Sequence, residues 1–147
     1  MLRQLLVSVA VSLGNIAIHA MVMAVVLSVA RRTGSQATSS HQAFRLVIIM
    51  MATVAVLMAA HIVEVFAWSL AYAIIGVAPD GADLLYFAFV NYTTLGYGDV
   101  TPLKRWNLLG PMTALNGVLL IGWSTAVIFE VLRRAMATAH PGETPPS

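Results

Sequence analysis

Three apolar runs, residues 5–30, 46–77 and 108–132, are each long enough to cross the roughly 20-residue hydrocarbon core of a bilayer. No soluble domain of this size can hide so much apolar chain, since 59% of the 147 residues are hydrophobic and only 10% are charged. The chain is therefore expected to be an integral membrane protein. A net charge of +2 is too small a basic excess to suggest a nucleic-acid partner, and the basic residues gather at the ends of the apolar runs. With no cysteine, disulfides and thiolate metal sites are excluded. So short a chain forms one small bundle, and a sizeable pore would need several copies.

The first run invites a reading as a cleaved secretory signal, because Ser28-Val29-Ala30 resembles a cleavage site. Its length exceeds the 7 to 15 apolar residues of a signal core, and Arg31-Arg32 behind it outweigh Arg3 before it, which favours a retained helix with an outside N-terminus. If three helices alternate, Arg31, Arg32, Arg45, Arg133 and Arg134 fall on the cytoplasmic side and Arg3, Lys104 and Arg105 opposite. That arrangement puts residues 93–102, TTLGYGDVTP, at the outer face.

This polar, glycine-bearing stretch follows a ten-residue aromatic segment, 83–92, too short to span and readable as a re-entrant helix. Irregular backbone is tolerated at membrane depth only where protein buries it or water reaches it. Gly96 and Gly98 flank Tyr97 and enter positive φ freely, so successive carbonyls can turn to one side and form a row of oxygens. Thr94 can add a hydroxyl below them. Four copies around an axis would stack oxygen rings able to replace the hydration shell of a monovalent cation. The C-terminal end of the short helix would favour that cation, and Asp80 or Asp83 is placed to cap its N-terminus.

From residue 46 to 132 the sequence resembles the potassium channel family, specifically its two-helix pore module. Thr94-Leu95-Gly96-Tyr97-Gly98 differs at one residue from the TVGYG loop of potassium filters. Thr93 and Asp99 match the usual flanking residues, Pro102 and Trp106 fall where pore modules often carry proline and tryptophan, and Gly117 lies near the usual inner-helix hinge. The resemblance implies that Thr94, Leu95, Gly96 and Tyr97 coordinate dehydrated K+, chiefly through carbonyls, and that Asp99 braces the filter from behind.

The sequence departs from that family at three places. Leu95 replaces the more usual valine or isoleucine, which predicts altered packing or an altered filter conformation. Val90 stands where some relatives place a glutamate that pairs with the filter aspartate, so Asp99 must find another donor, Tyr86 or Tyr92. The extra first helix has no arginine at every third position, and voltage sensing of the usual kind is unsupported.

On that first helix Gln4, Ser8, Ser12, Asn15 and His19 share one face, and on the second His61 and Glu64 lie one turn apart. Counting inward at 1.5 Å per residue puts Asn15, His19, His61 and Glu64 at a common depth of roughly 15 to 22 Å. They are expected to meet as an intramembrane polar cluster docking the first helix; unrelated hydrogen bonds are the plain alternative, and proton sensing a sharper one. His19, His61 and Glu64 offer three metal-ligand types, but no HExxH pair, nucleophile-base set or phosphate loop supports an enzyme. Trp68, Tyr72 and Trp106 read as interface anchors and filter support. Glu130 with Arg133 and Arg134 reads as a solvated helix-end pair. Gly110-Pro111 either kinks the third span or marks its first turn. In that span Asn116, Gly117, Leu120 and Ser124 are the pore-lining and gating candidates, with Leu120, Val127 or Ile128 able to form a dewetting constriction.

The expected fold is all-α and membrane-embedded, with three spans, a pore helix and a filter loop per subunit, assembled as a homotetramer. Residues 1–45 would be the first helix and a basic cytoplasmic loop, and 46–134 the pore module, with outer helix 46–77, pore helix 82–93, filter 94–98 and inner helix 107–132. Residues 135–147 would be a disordered cytoplasmic tail. The expected activity is passive K+ conduction across the plasma membrane; the alternatives are a poorly selective Na+/K+ pore and a non-conducting accessory subunit. No enzyme activity and no cofactor are expected beyond K+ as permeant ligand. The expected partners are further copies of the chain, membrane lipid and monovalent cations, with no nucleic acid.

Overall fold

A computed structural model describes residues 1–33 and 42–137. The loop 34–41 and the expected tail from residue 138 on lie outside them. Helix α1 spans Leu2–Thr33, α2 Gln42–Ile75, α3 Leu84–Tyr92 and α4 Leu109–Ala137, with a 3₁₀ turn at Lys104–Trp106 before α4. Three helices are long and apolar enough to cross a membrane, and among the described residues there is no strand. The spans overrun the apolar runs: α2 starts at Gln42 and α4 continues to Ala137, because the bordering polar and basic residues are compatible with helix.

Helix α1 packs on both α2 and α4, and the short α3 is wedged between α2 and α4. Two apolar clusters hold this arrangement. One gathers Trp68 and Tyr72 of α2, Phe87 and Tyr92 of α3, and Trp106 and Leu109, with Val11 of α1 against it. The other joins Met23 and Val26 of α1 to Leu57 of α2 and Val127 and Val131 of α4. Each long helix carries buried polar residues between these clusters: Asn15 and His19, Glu64, and Asn116 and Ser124. The bundle thus contains a polar layer between two apolar ones. In lipid the hydrophobic effect does not drive helices together, so interhelical hydrogen bonds and close packing carry the association.

The helix ends are satisfied locally. Asp83 caps α3, its carboxylate accepting from the Tyr86 amide at 3.0 Å. Helix α2 closes with the Val77 amide donating back to the Tyr72 carbonyl at 3.2 Å. Pro111 sits in the first turn of α4, where its missing N–H breaks no helical bond, so it marks a start and not a kink. Beside it the Leu108 amide, one of the orphan donors of α4, is taken by Gln4 Oε1 of α1 at 2.9 Å.

Candidate functional site: filter loop and buried polar cluster

After α3 the backbone leaves helical geometry. The Leu95 amide still donates to the Val90 carbonyl at 2.9 Å, but Thr94, Gly96 and Gly98 all take positive φ, at 60°, 59° and 80°. For a β-branched threonine that conformation is costly, on the order of 1–3 kcal/mol, a strain of the kind that collects at functional sites. The side chains of this loop are uncovered within one chain: Leu95 is 53% exposed and Tyr97 69%. Asp99 finds its donor in Tyr86, whose hydroxyl lies 2.8 Å from Oδ2, while the Val100 amide donates to Oδ1 at 3.0 Å. The Tyr86 bond, with that amide, holds the Asp99 carboxyl below the usual carboxylate range. Thr93 turns its hydroxyl back to the Phe89 carbonyl at 2.7 Å.

Tyr92 points elsewhere. Its hydroxyl donates to Glu64 Oε2 and lies 2.8 Å from His61 Nδ1. Glu64, fully buried, also receives His19 Nδ1 at 2.8 Å and His61 Nδ1 at 3.0 Å. On the far side of the two imidazoles stands Ser124 Oγ, 2.9 Å from His61 Nε2 and 3.4 Å from His19 Nε2. One turn along α1, Asn15 Nδ2 bridges the Glu64 carbonyl and Asn116 Oδ1, each at 3.2 Å, and Asn116 Oδ1 also accepts from Trp68 Nε1 at 3.0 Å. The four residues expected to meet are thus brought together, joined by Tyr92, Asn116 and Ser124.

That last set corrects the inner-helix expectation. Asn116, Leu120 and Ser124 are buried inside the single chain, and the cluster supplies the hydrogen bonds of Asn116 and Ser124 from α1 and α2. Val127 and Ile128 likewise join the lower apolar cluster. Gly117 lies directly under the end of α3, where a Cβ would come within 2.0 Å of the Tyr92 carbonyl oxygen, so its role here is close approach. The face of α4 left open carries Leu115, Val118, Leu119, Gly122, Ala126 and Phe129.

Trp68 and Tyr72 are also not interface anchors. Both are fully buried, Tyr72 through a 2.6 Å bond to Thr113 and a 3.3 Å bond from Asn91 Nδ2, tying α2 to α4 and α3. Trp106 is buried beneath Arg3, whose guanidinium sits 5.1 Å from the ring centre. Glu130 does pair with its helix neighbours, Arg133 at 2.8 Å and Arg134. Polar Thr113, Asn116 and Ser124, spaced three and eight apart, were the available sign that this face of α4 meets other polar groups.

Residues 60–134 match the family model described as Ion channel, from the second half of α2 through α3, the loop and α4. The chain belongs to this ion channel family. Searches of curated proteins and of solved structures gave no match. Membership agrees with the resemblance to potassium channels and establishes a multi-pass membrane protein with ion channel activity. The matched segment contains the loop 93–99, His61, Glu64, Tyr92 and Ser124, whereas Asn15 and His19 lie in the added helix outside it.

Proposed function

We propose that this ion channel is a K+-selective pore formed by four copies of the chain, conducting passively across the plasma membrane. The observation that carries the reading is the loop 93–99: a nine-residue helix ends at it, three of its residues take positive φ, and its side chains are uncovered within one chain. Positive φ at alternate residues turns carbonyls to a common side, and the α3 C-terminus adds a partial negative charge suited to a cation. Four such loops would cover one another's exposed Leu95 and Tyr97 and stack the carbonyls of Thr94, Leu95, Gly96 and Tyr97 into K+ sites. The open face of α4, with Leu115, Leu119, Gly122 and Ala126, would line the path below. The positive-inside distribution supports a loop on the outer side and a cytoplasmic C-terminus.

Helix α1 serves in this reading as a brace. It caps α4 through Gln4, stacks Arg3 on Trp106 and inserts Asn15 and His19 into the polar layer. The test is flux from K+-loaded liposomes containing the purified chain, repeated with Na+ and with barium. Barium-sensitive K+ flux without Na+ flux is expected; equal fluxes of the two ions would replace the reading with a poorly selective pore.

A further inference from the structure

The polar layer contains more ligand chemistry than docking requires. His19 of α1 and His61 and Glu64 of α2 present one ligand atom each within 4.8 Å of one another, and Glu64 and His19 are fully buried. We propose that His19, His61 and Glu64 form a binding site for a divalent transition ion of the zinc class, with the Tyr92 oxygen beside it as a fourth ligand.

The outer hydrogen bonds suit such an ion. Both Nε2 atoms face Ser124 Oγ, at 2.9 and 3.4 Å. With an ion bound on the Nδ1 side the hydrogens reside on Nε2, and both donate to Ser124 Oγ, which has two lone pairs. Ligating histidines characteristically donate their second N–H to such an outer partner.

Separations fit the same ion. Bonds of about 2.0–2.1 Å in tetrahedral geometry put ligand atoms about 3.4 Å apart. The Nδ1 atoms of His19 and His61 lie 2.8 and 3.0 Å from the Glu64 oxygens, so the carboxylate and rings need only open slightly around an ion. Two imidazoles with one carboxylate select zinc-class ions over Mg2+ or Ca2+, which take all-oxygen shells. Coordination by the Tyr92 oxygen, with release of its proton to solvent, would make the site neutral, and His61, 20% exposed, provides the edge by which an ion enters. Bound metal would lock α1, α2 and the end of α3 together immediately before the filter.

The site rests on the cluster alone and not on K+ conduction, so its test reads binding directly. Tag-free protein in detergent, with His41 and His140 replaced by glutamine to remove the remaining histidines, is titrated with Co2+. One Co2+ per chain with the visible absorption of a tetrahedral site, displaced by Zn2+, is expected. His19→Gln, His61→Gln and Glu64→Gln should each abolish it, and Ser124→Ala should weaken binding about 10- to 100-fold. Because a cluster variant can fail to fold, X-ray absorption of the zinc-loaded protein gives an independent reading, expected to show two imidazole ligands with oxygen. Absence of a tetrahedral spectrum, a spectrum unchanged in folded His19→Gln protein, or fewer than two imidazoles on zinc would each overturn the site.

Discussion

At Gly117 a missing side chain lets α3 rest directly on α4, and Gly117→Ala would drive a methyl group into the Tyr92 carbonyl. The contact is backbone to backbone, so no rotamer change relieves it. The substitution should destabilise the protein by about 3 kcal/mol or more, read as a lowered Tm in detergent. Asp99 gives a second expectation at this scale. Its pKa is lowered in the fold, so its stabilising bond from Tyr86 is present above the ordinary value of 3.8 and is lost as pH falls through the lowered one. Flux should therefore keep its Asp99-dependent part through mildly acidic pH and lose it only below about 3.8, and Asp99→Asn should remove that acid step. Asn15, His19, His61 and Glu64 were legible beforehand, since polar side chains at helical spacing in an apolar span need partners. Tyr92 was not: at about 100° per residue it points roughly 240° around α3 from Tyr86, so one aromatic reaches Asp99 and the other Glu64.

Among the elements, α4 shows where one sequence cannot orient a helix. Its two faces are similarly apolar, and small or polar residues occur on both, so Asn116 and Ser124 read equally well toward a pore or toward the chain's own interior. The positions of α1 and α2 decide between them, because Asn15 and His19 of the one and His61 and Trp68 of the other occupy that side. The natural chain has no cysteine, which makes single-cysteine variants clean reporters. A thiol reagent added from the cytoplasmic side should block flux through Ala126→Cys and leave Ser124→Cys unmodified; the reverse pattern would return the buried face to the pore. Helices α2 and α3 were easier to place, since a long apolar run and a short aromatic one differ in length alone. The caps at Asp83 and Gln4 show the limit again: the first is local and readable, the second joins residues 104 positions apart.

For the molecule as a whole, the number and order of membrane helices followed from hydropathy, whereas the assembly does not follow from one chain. Leu95 and Tyr97 stand exposed beside a strained backbone, and four-fold packing is the arrangement expected to cover them. Mass measurement in nanodiscs should find a four-chain particle, and a stable monomer would count against an autonomous pore. The layered interior also bears on how the chain is made. His19 emerges from the ribosome 45 residues before Glu64, and Asn15 emerges 101 residues before Asn116. Until α2 follows, α1 is a membrane helix with unmatched imidazole and amide groups; Glu64 then takes both, and Asn116 and Ser124 complete the layer only when α4 arrives. A chain truncated ahead of α4 would leave the Nε2 atoms of His19 and His61 without Ser124 and the Asn15 amide without Asn116.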